Sequence, residues 1–304
     1  MSQGDFLKNF TGETSFRTYG LNIGGVPITL RTEQPLEWEE AFLPFRAPVT
    51  KRGYEVVFRR TESLPPLPEE ILWENAGCRV HPDGKGGFLR SFYDPVRSPE
   101  PYGVGTYHLQ EKTVCIRYLD WGVPCVSEFS NSFFHIGLES LLIGEKRICL
   151  HAALVRTSSG GLLFCGPSGI GKSTQAKLWC SAGLGSLLNG DRPILGKKNG
   201  VWTGWGSPYA GSSRCYVNQS CPISAIVLLE QAPACSIRQP DLHEKFHRVF
   251  SQVTVSQWDP AFVAAAMDLT EDLIRSVPVL VFACTPAAEA VPMLQSYLKG
   301  EQNP

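Results

Sequence analysis

The chain has 304 residues, 28 basic against 29 acidic side chains, a formal net charge of −1 and 43% hydrophobic residues. That length allows one large or two ordinary domains, each with its own core, and the near-neutral charge offers no field that would recruit nucleic acid or a membrane surface. The ten cysteines form no C-x-x-C pair, no stretch reaches about 18 consecutive apolar residues, and Met1-Ser2-Gln3-Gly4-Asp5 begins without an apolar leader; the expectation is a cytoplasmic protein with reduced thiols, no membrane association and no zinc ribbon.

Residues 1–130 read as a β-rich N-terminal domain. Tyr54–Phe58 and Thr113–Tyr118 fit short strands, and His81-Pro82-Asp83-Gly84-Lys85-Gly86-Gly87 fits a hairpin turn. Two proline-bearing stretches, Leu64–Pro68 and Asp94–Pro101, argue against long helices. With no catalytic motif in this half, its expected role is structural or in recruiting a substrate.

The pattern changes at residue 131, where a second domain is expected to run to residue 304. Asn131-Ser132 caps an apolar helix through Ile143 that stops at Gly144. Arg147–Val155 then reads as a strand carrying His151, and Ser158-Ser159-Gly160-Gly161 turns the chain into a second strand, Gly161–Cys165. Such an antiparallel approach is unusual upstream of a loop like Gly166-Pro167-Ser168-Gly169-Ile170-Gly171-Lys172-Ser173-Thr174.

That loop has the spacing G-x-x-x-x-G-K-S of a phosphate-binding loop. A polyphosphate is held best by backbone N–H groups converging on a small concavity, and the three glycines let the backbone curl close to the oxygens without side chains in the way. Lys172 adds a positive charge near the β- and γ-phosphates, and the Ser173 hydroxyl suits Mg²⁺. Ser168, Gly169, Ile170, Gly171 and Thr174 complete the nucleotide-binding set. A helix from Ser173 to Ala182, stopped by Gly183, aims its positive end at the phosphates.

Downstream, Leu184–Leu188 reads as a strand leading to Asn189-Gly190-Asp191-Arg192. Asp191, 19 residues after Lys172, is the nearest downstream carboxylate able to serve Mg²⁺, or else part of an Asn-Gly turn. Next come a hairpin turning at Lys198-Asn199-Gly200 and a small-residue loop ending in Arg214, which with Arg192 offers a guanidinium that either neutralises phosphate or is solvated. Ile223–Glu230 and Val277–Cys284 read as buried strands, and Thr285-Pro286 as the start of a final helix running to about Leu298.

The sequence from about residue 131 to 300 resembles the HPr kinase/phosphorylase group, whose P-loop domain is related to phosphoenolpyruvate carboxykinase. The resemblance rests on His151 in Leu-His-Ala-Ala-Leu-Val, on the glycine loop and on the Asp-bearing turn. It implies an α/β fold with a mixed-sheet P-loop kinase domain, ATP and Mg²⁺ as cofactors, and a phosphorylated hydroxyl on a peptide, protein or small molecule. It also implies that the histidine lies close to the transferred phosphoryl group and that two adjacent aspartates handle metal and proton. His151, Lys172, Ser173 and Asp191 keep this pattern; Gly190 stands where the first aspartate is expected, leaving Asp191 or His151 as base.

Three rival classes stay open beside a kinase. A nucleotide-binding regulatory protein with little catalysis would account for Gly190, and a carboxykinase-like lyase would share the loop. His243-Glu244-Lys245-Phe246-His247 matches the H-E-x-x-H of zinc proteases, although Leu242, Phe246, Val249 and Phe250 make an ordinary apolar stripe beside it.

Overall fold

Eight strands make the first sheet, in the order β1-β2-β3-β8-β7-β6-β5-β4. They are β1 (Arg17–Ile23), β2 (Val26–Thr32), β3 (Tyr54–Arg60), β4 (Trp73–Asn75), β5 (Cys78–Pro82), β6 (Phe88–Tyr93), β7 (Pro101–His108) and β8 (Thr113–Tyr118). β3 pairs in parallel with both β2 and β8, and the remaining pairs are antiparallel. A computed structural model describes residues 15–301. The leader reading at residues 1–5 lies outside them.

Two helices come after β8: α1 (Phe129–Ile136) and α2 (Leu138–Gly144). The sequence predicts one helix here, but Gly137 adopts a left-handed φ of +64° and divides it. A Cβ at residue 137 would stand 2.6 Å from Nη1 of Arg90, so the break lets a buried guanidinium pass. Phe129 is fully buried and packs on Tyr19, Trp38 and Phe42. Its burial contributes roughly 1.5–3 kcal/mol and ties α1 to residues of the first sheet. The chain accordingly divides between Gly144 and Glu145, later than the expected boundary at 130/131.

The second sheet has nine strands, β9 (Arg147–Cys149), β10 (Ala152–Thr157), β11 (Gly160–Cys165), β12 (Ser186–Asn189), β13 (Ile194–Lys198), β14 (Val201–Trp205), β15 (Ser220–Gln231), β16 (Ser236–Arg238) and β17 (Val279–Cys284). β15 is long enough to serve two neighbourhoods. Its first residues pair antiparallel with β14, and its later ones pair in parallel with β11 and β17. Four helices complete this unit: α3 (Lys172–Ser181), α4 (Leu242–Phe250), α5 (Pro260–Ser276) and α6 (Ala290–Glu301). The β13–β14 hairpin turns through Asn199 and Gly200, both at positive φ, as an Asn-Gly pair favours.

Leu162, Phe164, Val227, Leu229, Leu280 and Phe282 from the central strands form a core with Trp179 of α3 and Leu294 of α6. The last helix begins at Ala290, not at Pro286. Gln175 Nε2 donates to the Thr285 carbonyl at 3.1 Å and holds that segment in a turn, while Pro292 takes the first helical turn, where a missing N–H costs nothing. Among the described residues no helix is long and apolar enough to cross a membrane.

Candidate functional site

Cys165 ends β11 and Gly166, Gly169 and Gly171 carry φ values of +147°, +79° and +114°, conformations that side chains resist. A Cβ at Gly169 or Gly171 would meet nothing within 4 Å, so these two positions face open space. Ser168 and Gly169 are exposed, Ile170 half-buried and folded back, its N–H donating to Pro167 O at 3.3 Å. α3 starts at Lys172, and its first internal bond runs from Gln175 N–H to Gly171 O; the amides of Lys172, Ser173 and Thr174 precede that bond and belong to the orphan donors of a helix start. An anion beside the loop would be met by the positive end of the helix.

Lys172 is only 7% exposed, and its ammonium donates to Gly166 O at 2.8 Å and Pro167 O at 3.0 Å. Burial lowers its pKa, opposed by Cys165 and Asp191. Two carbonyls thus hold the charge at the loop's rim.

His151 and Asp191 meet because the sheet changes partners twice at one place. β9 pairs with β13 while β10 pairs with β11 and β12, so the chain leaves one neighbourhood and joins another at Leu150-His151. The single strand expected over 147–155 is therefore two. The β12-to-β13 passage makes the same change alongside it, with Leu150 N–H donating to Pro193 O at 3.1 Å and Ala152 N–H to Asp191 O at 3.0 Å. Ala152 is also the register partner of Cys165, which puts His151 next to the first glycine of the loop.

His151 Nε2 lies 3.4 Å from Asp191 Oδ1. Burial lowers the histidine's pKa, the Lys172 charge lowers it further, and Asp191 pulls the other way. His151 is consequently neutral at neutral pH, with a nitrogen available to accept a proton. Arg192 Nε sits 3.7 Å from Asp191 Oδ2 and its Nη1 donates to Thr254 Oγ1 at 2.7 Å, bringing the guanidinium to the carboxylate's other side. Ser173 is exposed, and Arg214 adopts a left-handed φ of +49°.

Asn189, which the sequence offers only as part of a turn, organises this corner. Its Oδ1 accepts from Asp191 N–H at 2.9 Å and Arg192 N–H at 2.7 Å, and its Nδ2 donates to Ser207 Oγ and Tyr209 O, each at 3.2 Å. An asparagine whose side chain bonds the backbone two residues on is the local signal for such a turn. Gly190 has a different cause, since its φ is not positive: a Cβ there would overlap Cβ and Oγ of Ser213. Nothing in the local sequence announces that contact, which comes from 23 residues away.

The H-E-x-x-H match lies on α4, with the two imidazoles stacked at 6.5 Å on its surface. Glu244 is bound by Arg238 at 2.7 Å and by Arg248 at 3.1 Å, and these bonds hold its carboxyl at about 2. A carboxylate so engaged makes a poor general base, and among the described residues no group of three His, Cys, Asp or Glu side chains is arranged to hold a metal ion. The protease alternative is set aside.

No family model and no curated protein matches the chain. A solved structure, the Hpr(Ser) kinase/phosphatase from Coxiella burnetii, is similar with a TM-score of 0.30 and 15% identity, over 51% of this chain and 89% of that one. A similarity of that size carries no argument about this chain.

Proposed function

We propose that the chain is an ATP-dependent phosphotransferase that moves the γ-phosphoryl group to a hydroxyl of a peptide, protein or small molecule. The observation that carries this reading is the convergence of a glycine loop, a buried lysine at its rim and a His151–Asp191 contact of 3.4 Å at the adjoining strand switch. The loop glycines face open space at the start of a helix, which leaves room for polyphosphate oxygens to approach the backbone.

In this reading Gly166 to Thr174 bind and orient the nucleotide, and Lys172 balances charge on the β- and γ-phosphates. Ser173, exposed on the first turn of α3, and Asp191 are the residues that would hold Mg²⁺, which when bound supplies charge neutralisation on the phosphates. Asp191 accepts the proton of the attacking hydroxyl, directly or through the neutral His151 beside it, and Arg192 steadies the carboxylate. Asn189 keeps Asp191 in place through the turn it caps.

A second reading, a nucleotide-binding regulatory protein with weak catalysis, is favoured by one observation: the space beside Gly190 is filled by Ser213, so no second carboxylate fits there. Incubation with γ-labelled ATP, Mg²⁺ and a fractionated cell extract separates the two. Label transferred by the wild type and reduced about 10²- to 10³-fold in Lys172→Ala and Asp191→Asn supports the kinase. ATP binding with no label above background overturns it.

A further inference from the structure

The turn Gly211–Ser213 lies against the Gly190-Asp191 corner. A Cβ at Gly211 would stand 3.0 Å from Cβ and 3.3 Å from Oδ2 of Asp191, and a Cβ at Gly190 would overlap Ser213. Gly211 of the turn therefore rests against Asp191, and Ser213, two residues on, against its neighbour Gly190. Left-handed residues bracket the turn, Gly211 at φ +53° and Arg214 at φ +49°. The Ser213 Oγ donates to Ala210 O at 2.5 Å and accepts from Cys215 N–H at 3.3 Å. Both partners lie within three residues, so a rotation about χ1 frees the hydroxyl without unfolding anything.

We propose that Ser213 is an intramolecular phosphoryl acceptor, an inference that rests on the kinase reading above. In the step, Ser213 Oγ forms a bond to the γ-phosphorus of ATP, and the bond from that phosphorus to the β–γ bridging oxygen breaks. ADP leaves with the electron pair, and the hydroxyl proton passes to the Asp191–His151 pair. Carrying the hydroxyl on the same turn whose Gly211 touches Asp191 replaces a bimolecular encounter by a local one, which is worth a large effective concentration. The phosphoserine places new negative charge next to Asp191, and the repulsion pushes the turn off the site.

The test incubates the full chain with Mg²⁺ and ATP, reads the intact mass, and sequences the tryptic peptide Asn199–Arg214 by tandem mass spectrometry. The expected product is one added phosphoryl group, about 80 Da, on Ser213. Its rate per chain does not change with protein concentration. Ser213→Thr carries the group on the threonine, and Ser213→Ala lacks it while still binding ATP. Phosphate found only at another residue, or a rate that rises with protein concentration, overturns the proposal. An unmodified chain that binds ATP and labels an added acceptor overturns this inference and leaves the kinase reading intact; an unmodified chain that labels nothing overturns both.

Discussion

The two units each contain a histidine pressed against aromatic or charged neighbours, and their surroundings differ in kind. In the N-terminal unit, His135 is enclosed: Tyr102 Oη lies 2.7 Å from Nε2, the Asn131 carbonyl 2.5 Å from Nδ1, and the rings of Phe58, Phe92 and Phe134 pack around it. Burial drives its pKa to about 3. In the C-terminal unit, His151 keeps 28% of its side chain exposed, beside a carboxylate and at the edge of an open loop. Both pKa values are lowered, yet His135 is 1% exposed while His151 shows part of its ring to solvent. A lowered pKa by itself therefore does not separate a packed histidine from a candidate functional one; the difference here is exposure and a neighbouring carboxylate.

The N-terminal half of that comparison is most easily broken at Phe129. Replacing this buried ring by alanine is expected to cost about 3–5 kcal/mol, read as a lower denaturation midpoint, while ATP affinity stays unchanged. A drop in affinity equal to the wild-type binding energy would mean that the contrast between the halves is wrongly drawn. A smaller effect is expected at the closed corner of the C-terminal half. Gly190→Asp restores a carboxylate where the resemblance expects one, but it meets Ser213 and should destabilise the protein by about 1–3 kcal/mol. Ser213→Gly in the same chain should recover most of that loss; no recovery would place the cause outside this contact.

The pH dependence of stability sharpens the histidine comparison. His135 has a folded pKa far below its unfolded one of about 6.5, so the unfolded chain takes up the proton first on acidification. Its contribution is full above about pH 6.5 and is lost as pH falls toward about 3. His135→Gln should flatten that part of the stability curve, measured by denaturant titration across the window. His151 is also depressed, so its neutral form persists below about pH 6.5, and the acid limb of label transfer is expected there. The smallest effect belongs to Glu244→Gln: its ion pairs are near the surface, a change within about 1 kcal/mol is expected, and label transfer should be unaffected. Label transfer abolished by this substitution would return α4 to the functional account.

The features legible in the sequence are those set by the local backbone. Gly166, Gly169 and Gly171 imply positive φ, Asn199-Gly200 implies a tight hairpin, and the apolar runs of β11, β15 and β17 imply buried strands, because each comes from the residues themselves. The hidden features depend on residues distant in the chain. Gly137 breaks a helix because Arg90 occupies its side, and the strand over 147–155 divides because β9 and β10 find different partners. Gly190 reads as a turn glycine, yet its missing side chain makes room for Ser213. The candidate site divides along the same line: Lys172 and Asp191 are found by their spacing to the loop, whereas Asn189 and Ser213 acquire their places only through tertiary structure.

Binding of a nucleoside triphosphate by the glycine loop and Lys172 is the claim on which the kinase reading depends. Isothermal titration of the full chain with ATP and Mg²⁺ tests it most directly, with Lys172→Ala as the comparison at matched thermal stability. Saturable one-to-one binding is predicted for the wild type, weakened at least about tenfold in the variant, a difference of about 1.4 kcal/mol. Equal binding by the two proteins, or no heat from a folded wild type, would contradict it.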